Sequence, residues 1–163
     1  REALVNTAMT RLDEFAVLLD NERYVNPLSC ISLSVVGKSG AGKTAFLAML
    51  AKRLYYKEQG LGKRPVLLRF CGTSAGSMTG RSLVKSLIHQ LKLLYADFPE
   101  DGVFPTDYKE LIAQFHRMLA THPIILIIDS LDQLTNDDQA RSNITFLHGA
   151  KPHKDTLTIV SVF

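Results

Sequence analysis

The 163-residue sequence predicts an α/β domain in which a parallel sheet lies between two layers of helices, preceded by one N-terminal helix. Three observations predict it. Residues 37–44, GKSGAGKT, fit the pattern G-x-x-x-x-G-K-[ST] at every fixed position. They stand between an apolar run, 31–36, and an alanine- and leucine-rich run, 45–54, which is the strand, loop and helix context that a P-loop requires. A second apolar run, PIILIID at 123–129, shows no polar alternation and stops on an acid, as suits a parallel strand covered on both faces.

With 46% hydrophobic residues the chain can bury a substantial core, and its length suits one domain. The expected division is a helix and linker over 1–27 and a P-loop domain over 28–163. A net charge of +3 with interspersed acids and bases argues against nucleic acid as the primary ligand. No run of about 18 apolar residues occurs, so no membrane span is expected. The first residues carry charges throughout, unlike a signal peptide, and the expected location is cytoplasmic. Cys30 and Cys71 are too few and isolated for a metal site and are expected as buried thiols. The five histidines share no metal-ligand spacing. The sequon at Asn143 is taken as accidental without a secretory signal.

In chain order, Leu4, Ala8, Leu12, Phe15 and Leu19 recur at three- and four-residue steps and predict an amphipathic helix of about five turns. Residues 21–29 hold Pro27 and read as a linker, with Tyr24 or Val25 as candidates to touch a nucleotide base. The P-loop helix is expected to run to about Lys57, with a turn over 59–65 and a strand over 66–70. The polar loop CGTSAGSMTG, 71–80, follows at the strand's C-terminal end. Ligands of open α/β sheets bind beside such ends, so Arg69, Thr73 or Ser74 are candidates to approach a phosphate; the loop is otherwise a connection in which Thr79 caps the next helix. That helix spans 80–96, with Leu83, Leu87, Ile88, Leu91 and Leu94 on one face and Lys85, His89 and Lys92 on the other. Pro99 and Pro105 break it, Thr106 is the expected N-cap of a helix holding Leu111, Ile112, Phe115, Met118 and Leu119, and Pro123 ends that helix. Residues 134–150 are expected to form a short loop and a helix capped from Asn136, Asp137 and Asp138, and 156–163 a last strand.

The P-loop residues have separate duties. Gly37, Gly40 and Gly42 let the backbone bend where a Cβ would clash, so that successive N–H groups point at phosphate oxygens. The loop opens a helix whose N-terminus adds partial positive charge. Lys43 supplies a full charge for the β- and γ-phosphates, and Thr44 is placed to ligate Mg²⁺. The expected nucleotide-contacting set is Gly37, Lys38, Ser39, Gly40, Ala41, Gly42, Lys43, Thr44 and Ala45. A full chance match in such a chain is an event on the order of one in a hundred or rarer, which disfavours an ordinary Gly/Ser turn. Asp129 is the candidate second half of the site, an acid at a strand's end that can hold a water on Mg²⁺.

The pair GKSGAGKT and IILIIDSLDQL resembles the NACHT branch of the STAND class of P-loop NTPases. Within it the likeness is to the nucleotide-binding part of NACHT proteins with WD repeats, where a segment like LLRFCGTSAGSMTGRSLVKSLIHQL also stands between the two motifs. The resemblance covers 28–163 and implies a P-loop NTPase three-layer sandwich, truncated after its fourth strand. It implies a strand order running from the 66–70 strand through those near 123 and 156 to the P-loop strand, with a polar sensor residue near the end of the fourth strand that is either Ser161 or a residue beyond 163. It assigns Mg²⁺ to Asp129 and a water-placing role to Asp132, and it shows that the usual following glutamate is Gln133 here. A glutamine orients water but cannot accept its proton, so hydrolysis is expected to be slow.

The resemblance therefore implies an ATP- and ADP-binding switch in a longer signalling protein, a weak Mg²⁺-dependent ATPase that oligomerises with itself or docks on other domains. The alternatives are a brisk ATPase, a small-molecule kinase, or a scaffold indifferent to nucleotide. A GTPase is disfavoured because neither [NT]-K-x-D nor D-x-x-G occurs, and an ABC ATPase because LSGGQ is absent.

Overall fold

Four short parallel strands carry the fold, and the alternation of their side chains assigns each helix to a face. The computed structural model describes residues 1–20, 33–61, 64–96 and 104–162. In chain order the elements are α1 (Glu2–Asp20), β1 (Leu33–Val36), α2 (Lys43–Leu61), β2 (Val66–Phe70), α3 (Gly80–Leu94), α4 (Tyr108–Thr121), β3 (Ile125–Asp129) and β4 (Leu157–Val162). The sheet order is β1-β4-β3-β2, all parallel. This is the α/β three-layer architecture and the strand order expected from the sequence.

Every residue of β3 is buried, as a run without polar alternation requires. Ile125 and Ile127 join Leu157 and Ile159 of β4, Leu47, Leu50 and Leu54 of α2, and Val5 and Ala8 of α1 in one core. Leu126 and Ile128 face the opposite way, joining Leu67, Val160 and the apolar stripes of α3 and α4 in a second core. Side chains alternate between faces along a strand. Asp129, two residues beyond Ile127, and Ser161, two beyond Ile159, therefore both lie on the α2 face.

Several local expectations are corrected. The buried stripe of α1 runs through Val5 and Ala8, while Leu4 is exposed; the side chains of Leu12, Phe15 and Leu19 lie outside the described ones. Ion pairs of Arg53 with Glu2 and Lys57 with Asp13 tie α1 to α2. Pairs this exposed contribute little, and Val5 and Ala8 are what seat the helix. The second helix passes Lys57 and ends at Leu61, because Glu58 is buried and paired with Arg64 beyond the helix end, which holds the last turn in place. On α3, Lys92 is buried with its ammonium 5.8 Å from the centroid of Phe104, and Leu94 is exposed. A lysine's methylene stem covers apolar surface well, so its charge is a poor guide to its face. The N-cap of α4 is Asp107, whose carboxylate accepts from the Glu110 N–H at 3.0 Å; the Thr106 carbonyl accepts from Arg81 instead.

Residues 134–150 form turns and one 3₁₀ turn rather than the expected helix. Asp138, Gln139 and Ile144 have positive φ, which no right-handed helix accommodates. Local side-chain bonds compete with helical ones here: Thr135 donates to Asp137, Asn136 accepts from the Ser142 N–H, and Asn143 donates to Gln139. Phe146, Leu147 and Ala150 nevertheless anchor the segment in the second core. The linker at 21–29, Tyr24, Val25, Cys30, Ile31 and Phe163 lie outside the described residues. Among the described residues no helix is long and apolar enough to cross a membrane.

Candidate nucleotide-binding site

Because all four strands run the same way, their C-terminal ends share one edge of the sheet, and the segments leaving β1 and β3 meet there. After β1 the chain turns through an Ala41 N–H to Lys38 carbonyl bond, and the Gly42 carbonyl accepts from the Phe46 N–H to start α2. Gly40 and Gly42 have φ of 77° and 86°, conformations that glycine reaches without strain. Gly42 is also crowded by the Arg1 guanidinium, whose Nη2 would stand 3.0 Å from an added Cβ.

Lys43 curls back along the loop and donates from Nζ to the Gly37 carbonyl at 2.5 Å and the Lys38 carbonyl at 3.2 Å. Both bonds hold the ammonium over the loop. One helical position further on, Thr44 Oγ1 donates to Asp129 Oδ2 at 2.6 Å. Asp129 is almost wholly buried, so its charge needs donors. Ser161 provides the other, from Oγ to Oδ1 at 2.5 Å.

Beyond Asp129 the backbone takes a left-handed conformation at Ser130, with φ 59° and ψ 51°, before a 3₁₀ turn at Leu131–Gln133. Its N–H is received by Ser161 Oγ at 2.8 Å. The turn brings Asp132 and Gln133 to a cleft of about 340 Å³ that Ser39, Gly40, Gly42, Lys43 and Thr44 line from the other side. Gln133 Nε2 donates to Asp132 Oδ2 at 2.6 Å. Hence the P-loop and the turn carrying Asp132, more than eighty residues apart in sequence, face each other across one polar cleft, and Asp129 lies buried behind it, bonded to Thr44.

A family model for the NACHT domain matches residues 32–159. The chain belongs to the NACHT domain family. NACHT and WD repeat domain-containing protein 2 of Mus musculus is 32% identical over 133 residues, 77% of this chain and 7% of that protein. The Homo sapiens protein of the same name is 30% identical over the same shares. NACHT domain- and WD repeat-containing protein 1 of Homo sapiens is 29% identical over 146 residues, 85% of this chain and 9% of that protein. The chain thus spans less than a tenth of the length of these relatives. As a NACHT domain it is a nucleotide-binding P-loop NTPase module.

The NACHT domain's cleft omits three residues named as candidates. Arg69 pairs in register with Ile128 and shares its face of the sheet, away from the P-loop. Its Nη1 donates to the Leu68 carbonyl, and burial lowers its pKa. Thr73 and Ser74 bond within their own loop, to the Phe70 carbonyl and to Ser77. Thr79 does cap α3, accepting from the Ser82 N–H. Two cleft residues carry little sequence signal: Ser130, whose left-handed turn no local pattern announces, and Gln133, visible only as a departure from the family's acid. Cys71 is buried beside the site, its thiol pushed up to about 12 by burial first and then by the charges of Asp129 and Asp132.

Proposed function

We propose that this NACHT domain binds ATP and ADP with Mg²⁺, hydrolyses ATP slowly, and acts as a nucleotide-dependent switch within a larger signalling or assembly protein. The observation that carries this reading is the 2.6 Å bond between Thr44 and Asp129, which joins the P-loop helix, beside the polar cleft that Thr44 lines, to the end of a central strand.

In this reading the N–H groups from Gly37 to Ala45 and the Lys43 ammonium take the phosphates, Lys43 exchanging its two loop carbonyls for phosphate oxygens. Thr44 and Asp129 hold the cation. The described residues contain no cluster of three or more His, Cys, Asp or Glu able to hold a metal. One carboxylate and one hydroxyl fit a magnesium that keeps waters and shares the substrate's phosphates. Bound Mg²⁺ supplies charge neutralisation to the phosphates. Asp132 places the attacking water, and Gln133, donating to Asp132, adds a hydrogen bond but no proton acceptor. Tight grip with weak base chemistry is what a switch needs. Cytoplasmic location and assembly into homo-oligomers or onto other domains belong to the same reading.

Titration of the purified chain with fluorescent ADP and ATP, with and without Mg²⁺, tests it. Binding is expected to strengthen with Mg²⁺ and to be lost in Lys43→Ala, with turnover well below the roughly 10 per second typical of enzymes. No nucleotide uptake, or brisk turnover by the isolated domain, overturns it.

A further inference from the structure

Ser161 has no exposed surface, yet its hydroxyl works at two places in the site. A buried strand serine has an easy solution in bonding a nearby carbonyl of the main chain. Ser161 instead donates to Asp129 Oδ1 at 2.5 Å and accepts from the Ser130 N–H at 2.8 Å. Since Thr44 occupies Asp129 Oδ2, the two hydroxyls together fix the carboxylate's rotation. The second bond holds an amide in a left-handed turn that a non-glycine residue adopts reluctantly. That turn delivers Asp132 and Gln133 to the cleft.

We propose that Ser161 is a positioning residue for the nucleotide-bound divalent cation. It holds Asp129 in the orientation that serves the cation, and it holds the Ser130 turn that presents Asp132 and Gln133 to the same cleft. The inference rests on the function proposed above, and it makes the end of β4 part of the metal site without touching metal or nucleotide. Ser161→Ala leaves Asp129 Oδ1 without its donor and the Ser130 N–H without its acceptor, while the P-loop keeps all of its own bonds. The effect is therefore specific to the cation.

The test compares ADP affinity in excess EDTA and in Mg²⁺ for the wild type and Ser161→Ala, with amide exchange at Ser130 followed alongside. Loss of an outer partner of a metal ligand costs 10- to 100-fold in metal affinity. The gain in ADP affinity that Mg²⁺ confers is expected to fall about tenfold in the variant, with affinity in EDTA unchanged and exchange at Ser130 accelerated. Ser161→Cys, similar in size but a poor donor, is expected to show the same cation-specific loss and replaces the alanine variant if that fails to fold. A Mg²⁺ gain equal to wild type overturns the proposal. So does an equal loss with and without Mg²⁺, which is the mark of a merely structural serine. A wild-type chain that takes up no nucleotide at all overturns the proposed function, and this inference with it.

Discussion

Gly72 and Gln133 are in contact so close that a Cβ at Gly72 would stand 2.7 Å from the Cβ of Gln133. The loop leaving β2 and the turn leaving β3 meet at this point, beside the cleft that Gln133 lines. Gly72 also has φ of 72°, a conformation costly to residues with a side chain. Gly72→Ala therefore combines backbone strain with overpacking, about 3 kcal/mol together. For a chain of this size that lowers Tm by roughly 6–12 °C, as thermal unfolding by circular dichroism will read. A change within a degree of wild type shows that the two loops separate without cost.

Phe146 tests whether the irregular 134–150 segment is part of the fold or draped over it. Its side chain is fully buried in the core that α3 and α4 share, and its carbonyl is bonded to His116 Nε2 at 3.0 Å. Phe146→Ala is expected to destabilise by about 3–5 kcal/mol, the cost of emptying an aromatic site that cannot collapse. Urea unfolding measures this as a lowered midpoint at unchanged slope. A surface segment would give a few tenths of that.

The parts of this fold that were legible in the sequence are those whose signal is local and periodic. β2 begins and ends where its apolar run does, and Leu111, Phe115, Met118 and Leu119 are buried as their spacing requires. Gly37, Gly40, Gly42, Lys43 and Thr44 announce their loop because they fall at the fixed offsets of a P-loop between a strand and a helix. What was not legible depends on tertiary partners. The N-cap fell to Asp107 instead of Thr106 because α4 begins at Tyr108, which puts the Asp107 carboxylate within reach of the Glu110 N–H. The 134–150 segment has capping residues in plenty, and these satisfy one another in place of a helix. Arg69 was a reasonable phosphate ligand by position, and a one-residue parity in the strand sends it to the other face. The same parity, applied from Ile127 and Ile159, places Asp129 and Ser161 together once the pairing of β3 with β4 is known.

Cys71 gives a pH dependence of definite sign. Its pKa is raised from 9.0 to about 12 in the folded chain, by burial first and then by Asp129 and Asp132. Between those values the native state keeps a proton that the unfolded state has released, so the unfolded state is favoured as pH rises. The thiol's contribution is fully present below about pH 9 and lost progressively toward pH 12, with a slope of at most about 1.4 kcal/mol per pH unit. Cys71→Ser is expected to flatten stability across this range in urea titrations. In a Cys30→Ser background the native chain should resist alkylation at pH 8 and react once unfolded, because the thiolate is the nucleophile.

On the proposed function, Gln133 is the position where one substitution is expected to separate binding from hydrolysis. It lines the cleft and donates from Nε2 to Asp132 Oδ2 at 2.6 Å, so it restrains the neighbouring carboxylate without offering a base. Gln133→Glu replaces that donor with a second carboxylate. The new carboxylate can accept a proton where the amide cannot. A positioned base is worth about 10²–10⁴-fold, and ATP turnover by the variant is expected to rise by about the lower figure. ADP affinity should be unchanged, because Gly37 to Ala45, Asp129 and Ser161 are untouched. Gln133→Ala breaks the bond to Asp132 without adding a base and should not accelerate the reaction. Single-turnover phosphate release across pH separates these cases. The rate of the Gln133→Glu variant should exceed that of wild type, whereas a rate that stays at the wild-type level shows that proton acceptance is not what holds hydrolysis back.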